Sequence, residues 1–468
     1  MSDDQASSPP DGHDDLGIRL PWSRSGGPLA RRVVRPLQEY LREETASALL
    51  LFGATVVALL WANSPWRESY EQFWTTELGL RVGSLSILED LRHWVNDGLM
   101  TLFFLVVGLE IKRELSTGEL RDPRAAAVPV IAAIGGMVVP ALIYAALNAG
   151  AEGAEGWGIP MATDIAFALG VLTLAARSAP ASLKPFLLTL AIVDDIGAIT
   201  VIALFYTDDL NPGALLIAIG LLALIVVLQR IEIRAAVVYV GIGIGVWLAV
   251  LESGVHPTIA GVALGLLTPA VPFQRPRAVS EEAHRVADET VDDPYPPDAD
   301  APHWLRLATL SREAVSPLAR VEAGLHPWTS SAIVPLFALA NAGLVLSREV
   351  VVEAAGSAVT LGIVLGLVIG KLVGITLATE LAVRAKIGRM PEGAGRRHLV
   401  GVASVAGIGF TVSLFVTELA FPTGPLGDLA KVGVFAASVL AGVLAFTILR
   451  SGGGVHAPRE ATRDSVRA

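Results

Sequence analysis

Of the chain's 468 residues, 53% are hydrophobic and only 17% charged, and the mean hydropathy is +0.57. That composition is too apolar for a soluble domain and implies many membrane spans. With no cysteine, disulfides, thiolate metal sites and cysteine nucleophiles are excluded, and cysteine usage says nothing about the redox compartment.

The chain opens with a stretch, residues 1–43, rich in Ser, Pro, Gly and charge. It reads as a disordered cytoplasmic tail and lacks the short apolar core and cleavage site of a signal peptide. The net charge of −10 gathers in this tail (Asp3, Asp4, Asp11, Asp14, Asp15) and in a later stretch from Glu281 to Asp300. Both read as acidic solvated surface or as adaptation to a salty environment. Apolar runs with few or no charges then follow at 45–62, 95–116, 125–149, 157–176, 184–206, 210–229, 235–251, 256–273, 327–346, 354–380, 399–420 and 431–449. They predict an all-α membrane protein of twelve transmembrane helices, several of them shorter than the roughly 20 residues of an upright span.

The links holding Arg31 to Arg42, Lys112 to Arg124, Arg177 and Lys184, Arg230 and Arg234, Arg275 to Arg320, and Arg384 to Arg397 alternate with links almost free of positive charge. By the positive-inside rule both termini are cytoplasmic, which an even number of helices requires. The long link from Asn63 to Asp90 is then external and amphipathic, and LRVGSLSI within it alternates like a small β-hairpin around Gly83. The link from Phe273 to Leu325, full of Pro and acid, reads as a largely disordered cytoplasmic insertion over about 275–315, and residues 451–468 as a second tail. The remainder, 44–450, holds no soluble domain.

The third to fifth and the tenth to twelfth predicted helices look like equivalent triplets. Each middle member, the fourth (MATDIAF, Met161 to Phe167) and the eleventh (AGIGFT, Ala406 to Thr411), carries helix-breaking residues at its centre, Gly407 and Gly409 among them. An odd number of helices separates the starts of the triplets, so the second must run inverted relative to the first, a pattern of secondary transporters.

Asp164, Asp194 and Asp195 stand inside runs otherwise apolar enough to span a bilayer. A carboxylate at that depth survives only facing a wet cavity or a cation, and marks an ion or proton path. Asp194 and Asp195 are successive helix residues about 100° apart, so they cannot share one partner equally. Lys371 is the only formal charge between Ala354 and Thr379. Such an ammonium must lose its proton or sit beside a carboxylate or a helix C-terminus. Thr163 and Asp164 are residue types that cap helices, placed in mid-membrane, where an unwound helix exposes N–H groups.

In order and spacing, WVNDGLM with GLEIKREL (Trp94 to Leu115), PVIAAIGGMVVPA, ATDIAFALGVL, LAIVDDIGAI, SGVHPTIAG, LHPW, PLFALANAG, IGKLVGI and GIGFTVSLF resemble the NhaA sodium/proton antiporters over about residues 44–450. The resemblance implies an electrogenic, pH-regulated exchanger of sodium (or lithium) for protons. It would work by alternating access in a bacterial inner membrane, need no cofactor and bind no nucleic acid, and form a homodimer through the external hairpin. It implies Asp195 as main sodium ligand and proton carrier, Asp194 as the partner of Lys371, and Thr163 as a sodium ligand beside them. Asp164 compensates the helix ends or, alternatively, binds the ion. Leu372 stands where the family usually has proline.

Asp97, Glu110, Arg113 and Glu114 share the second helix, where the set is read as lying towards the cytoplasm. By resemblance Asp97 supports the ion passage, and Glu110, Arg113, Glu322 and His326 belong to a pH-responsive region, with His256 also tied to the pH profile. A plain interfacial salt-bridge network and a helix-end histidine read equally well. Glu418 has no assigned role. An intramembrane aspartyl protease would need aspartates on separate helices sharing a proton, and no GxGD occurs, GIGF having Phe410 instead. A sodium-coupled symporter or an ion channel stays open at this point.

Overall fold

The computed structural model describes residues 44–82, 85–175, 180–207, 210–289, 300–422 and 424–451. Both expected tails, the Gly83 turn and residues 290–299 of the insertion lie outside the described residues. In order, the elements are α1 (Glu44–Ala62), α2 (Arg67–Trp74), β1 (Glu77–Val82), β2 (Leu85–Asp90), α3 (Leu91–Ser116) and α4 (Pro123–Asn148). A 3₁₀ segment, Glu152–Met161, leads to α5 (Ile165–Ala175), α6 (Leu183–Phe205), α7 (Pro212–Arg230), α8 (Ala236–Leu251) and α9 (Thr258–Leu267). Then come α10 (Pro276–Glu289), α11 (Ala301–Glu313), α12 (Pro317–Trp328), α13 (Val334–Asn341) and α14 (Arg348–Gly356). The chain closes with α15 (Ala358–Arg384), α16 (Arg396–Val405), α17 (Phe410–Ala420) and α18 (Pro425–Arg450).

The chain is thus mostly helical. Among the described residues six helices are long and apolar enough to cross a membrane, or nine if each of three bent pairs counts as one span. Local sequence explains where several begin. Asn211 accepts hydrogen bonds from the backbone of Gly213 (3.1 Å) and Ala214 (3.3 Å) ahead of Pro212, and Asp122 accepts from Arg124 N (2.9 Å) ahead of Pro123. Each pairs a capping oxygen with a proline at the first helical position, where a missing N–H costs nothing. β1 and β2 pair antiparallel from Glu77↔Asp90 to Val82↔Leu85.

Among the described residues three π-helical turns interrupt these helices, at Trp94–Leu99 in α3, at Thr329–Ile333 between α12 and α13, and at Gly366–Gly370 in α15. Such turns free backbone groups and re-aim side chains, and they recur at functional sites. The third comes immediately before Lys371. There α15 lies so close to α4 that a Cβ on Gly135 would sit 2.5 Å from the Gly374 carbonyl oxygen. Only small residues permit that approach.

The insertion corrects the sequence reading. In place of a largely disordered 275–315 segment, the described residues form α10 and α11. The composition looked disordered, but its charges are arranged for a helix: Arg277 pairs with Glu281 (3.2 Å), Arg285 with Glu282 and Glu289, and Arg306 of α11 reaches Glu282 (3.7 Å). Pairs three or four residues apart support one helix, and Val279 and Val286 bury a thin apolar seam.

The base of the pair is closed by Glu313. Its carbonyl accepts from Phe273 N and Gln274 N (3.1 Å each), and its carboxylate from Gln274 Nε2 (3.1 Å) and Arg234 Nη1 (2.8 Å). The Gln274 hydrogen bond, with that of Arg234, holds this carboxyl below the usual glutamate range. Since the two ends of the insertion already touch, removing 278–312 and bridging with a short flexible linker is expected to preserve turnover. Exchange assayed in vesicles checks this; complete loss in a variant that inserts normally would make the segment a regulator.

Candidate functional site

The site forms where two bent helices touch. The 3₁₀ segment Glu152–Met161 and α5 meet at 48°, and α16 and α17 meet at 45°, each across a short break. A break leaves N–H and C=O groups without intrahelical partners, and here each break supplies the other. Asp164 N donates to Ile408 O (2.7 Å), and the Thr163 hydroxyl lies 2.9 Å from Ala406 O. In return the Asp164 carboxylate accepts from Thr411 N (3.0 Å), Thr411 Oγ1 (2.5 Å) and Phe167 N (3.1 Å). Asp164 and Thr163 are both buried.

α6 passes beside this crossing and brings Asp194 and Asp195 with it. Lys371 of α15 comes from the other side. Its ammonium donates to Asp194 Oδ2 and to Thr163 Oγ1 (3.0 Å), while Thr163 Oγ1 lies 2.7 Å from the same Asp194 oxygen. Lys371, Asp194 and Thr163 are each 0% exposed. The 100° step between the two aspartates does the rest. Asp195 points elsewhere, is 7% exposed, and among the described residues no hydrogen bond or ion pair engages its carboxylate. The charged groups around it are Asp194, Glu110, Asp164 and Lys371.

The remaining expected residues fall into two separate places. Arg113 forms its ion pair with Glu322 of α12, across from its own helix, with Glu110 and Glu114 nearby, and Glu114 accepts from Glu119 N (3.0 Å). His326 is one turn from Glu322 but exposed. Asp97 does not belong to that set, as the sequence reading had it. Thirteen residues of α3 put it about 20 Å from Glu110, at the end that carries the strands. There Asp97 Oδ1 lies 3.5 Å from His256 Nε2, and His256 Nδ1 lies 2.8 Å from Thr258 Oγ1. His256 therefore stands with Asp97, not with Glu322 and His326. Shared membership of one helix does not bring residues together, because a helix of this length reaches from one side of a membrane to the other.

Three features escaped the sequence reading. Thr411 is the principal partner of Asp164. Asn96, in the first π-turn, exchanges amide hydrogen bonds with Asn341 of α13 (2.8 and 3.3 Å); an asparagine within the apolar PLFALANAG was the available signal. Glu418 faces Lys431 of α18.

The Na+/H+ antiporter 1 family model matches residues 38–449 of this chain. The chain belongs to that family. Among similar proteins, the Na(+)/H(+) antiporter NhaA 2 of Sorangium cellulosum is 46% identical over 444 residues, covering 93% of this chain and 92% of the relative. The NhaA 3 protein of Frankia alni is 44% identical over 445 residues (95% and 92%), and the NhaA protein of an Anaeromyxobacter species 47% over 427 residues (90% and 93%). An antiporter of this family moves ions across a membrane and is not an enzyme, so the adjacent aspartates are set aside as a proteolytic pair. In this antiporter the crossing holds the carboxylates and hydroxyls that suit hard cations such as sodium.

The Asp194–Lys371 contact makes a first prediction. Removing either partner alone (Asp194→Asn or Lys371→Met) leaves the other buried without compensation, at a cost of about 3–5 kcal/mol. The double variant should lose much less than the sum of the two. A double-mutant cycle in thermal unfolding of the detergent-solubilised antiporter measures it; strictly additive losses would show that the two do not interact.

Proposed function

We propose that this antiporter exports sodium, or lithium, from a bacterial cell through alternating access to Asp195, driven by protons entering in exchange. The observation that carries the reading is the contrast between the neighbouring aspartates. Asp194 is neutralised by Lys371 and held by Thr163, whereas Asp195 is buried with no partner of its own among the described residues. An unpaired carboxylate in an apolar span is stable when it carries a proton or faces a cation, so the two ligands exclude each other there. Thr163 and Asp194 complete the sodium ligands. Asp164 compensates the helix ends at the crossing, and its bonds to Thr411 and Phe167 support that role over direct ion binding.

Proton and sodium then displace one another at a single site, and opening it alternately to either side exchanges them. Two protons per sodium would make the cycle electrogenic, with Asp194 or Lys371 as the second carrier. Their shared contact supports this, because a sodium ion drawing on Asp194 would release Lys371 from its counter-charge. Arg113, Glu322, Glu110 and His326 at one end of α3 form the pH-responsive region, to which His256 at the other end adds, beside Asp97, which supports the ion passage.

The membrane arrangement belongs to the same reading. Adding α8, α9 and the composite helix 317–341 to the spans and bent pairs of sufficient apolar length brings them to twelve. In this arrangement the bent fourth and eleventh spans lie in two inverted three-helix repeats. Both termini are cytoplasmic, in an inner membrane, and the β1–β2 hairpin is external and the site of homodimer contact.

Asp195→Asn should insert and fold normally yet show no sodium/proton exchange in proteoliposomes, since an amide neither carries the proton nor neutralises the ion. Substantial exchange by that variant would remove Asp195 as the carrier.

Competition also sets a pH dependence. Where the site is mostly protonated, the half-saturating sodium concentration should rise about tenfold for each unit fall in pH for one displaced proton, and more steeply for two. Measuring it from about pH 6 to about pH 9 checks this. A flat profile would leave the pH response to the Arg113–Glu322 region instead.

A further inference from the structure

The half-helix α17 has eleven residues, begins at the break after Gly409 and ends at Ala420. It is held along its middle, where Ser413 Oγ donates to Ile159 O (2.9 Å), and at its two ends. At the first turn, Thr411 holds Asp164 through both backbone and side chain. Glu418 lies seven residues further on, two turns, and so on the same side of the helix. Lys431 Nζ is 2.6 Å from Glu418 Oε1, with the side chains only 16% and 17% exposed. Lys431 belongs to α18, a continuous 26-residue helix that also packs against α15 and α16.

The other charged groups nearby are Asp428, one turn earlier on α18 and facing both members of the pair, and Glu71 of α2, which faces Asp428 and is itself paired with Arg92 (3.1 Å). Two half-buried charges are a poor source of stability compared with apolar packing, and the best-attested use of such a pair is to fix register.

We propose that Glu418 and Lys431 are positioning residues for ion binding, bolting the C-terminal end of α17 to α18. The pair would thereby keep Thr411 in place to hold Asp164 at the crossing. The effect is exerted through α17, and neither side chain touches the ion. The proposal rests on reading Asp195, Thr163 and Asp164 as the surroundings of the sodium site.

The test is sodium-dependent exchange by full-length variants in proteoliposomes. Glu418→Gln and Lys431→Met should each raise the half-saturating sodium concentration about three- to tenfold. Turnover at saturating sodium should stay within about twofold of the parent, since only ground-state positioning is disturbed. The charge-swapped double variant E418K/K431E should restore the parent's half-saturation, and in a Thr411→Val background Glu418→Gln should add nothing.

Unchanged half-saturation in single variants that accumulate normally would overturn the proposal, as would additivity with Thr411→Val. If a single variant fails to accumulate, the swap decides alone. A swap that is as impaired as either single, or that also fails to accumulate, overturns the pairing. Asp195→Asn assayed alongside separates the two levels: exchange by that variant sinks the reading of the site, whereas its loss leaves the Glu418 results to bear on the pair alone.

Discussion

Everything at the centre of this antiporter follows from the cost of holding charge where there is no water. A lone ammonium or carboxylate in an apolar bundle would be penalised by several kcal/mol, yet Lys371 and Asp194 are both 0% exposed. They persist because each is the other's counter-charge, with Thr163 completing the contact. Their mutual neutralisation leaves Asp195 as the carboxylate still in need of a proton or a cation. A single residue step along α6 separates a paired acid from an unpaired one, and the 100° turn of the helix is what keeps their environments apart.

The broken helices answer the same constraint for the backbone. Unpaired peptide groups in the middle of a membrane are tolerated only where other protein groups or a wet cavity satisfy them. Here the two breaks satisfy each other, through Asp164 with Thr411, Asp164 N with Ile408 O, and Thr163 with Ala406 O. Close approach is a precondition: a Cβ on Gly409 would lie 3.1 Å from the Ala162 carbonyl oxygen. The price of exposing helix ends is met by partners whose polar groups also suit cations.

The supporting scaffold separates what it does not want mixed. α3 carries charged clusters at its two ends, Asp97 against His256 and Arg113 against Glu322. Between them it packs on α9 through Gly108 and Gly265, where a Cβ on Gly265 would meet the Leu105 carbonyl oxygen at 2.6 Å. A tight glycine contact of this kind resists sliding, because packed interfaces deform poorly. The helical insertion is tied off at Glu313, so the length of chain between Phe273 and Pro317 places no slack on α12 or on its bond to Arg113.

Sequence alone determined the class of molecule and the residue types of its chemistry. An apolar composition allows only membrane spans, and Asp164, Asp194, Asp195 and Lys371 could be singled out because a charge in an apolar run has few reasons to exist. The capping residues Thr163 and Asp164, set in mid-span, likewise announced a broken helix. Tertiary structure decided which of these groups meet. Thr411 was unremarked because a hydroxyl in a helix is ordinary until a carboxylate from another chain segment reaches it. Asp97 was placed with Glu110 because sequence adjacency on one helix conceals about 20 Å of rise. The insertion read as disordered because its composition is polar, while its helices rest on the spacing of Arg285 from Glu282 and Glu289 and on contacts closed by Glu313. Composition and local pattern report what each residue costs in its surroundings; pairing across hundreds of residues is settled only by the packing that brings the partners together.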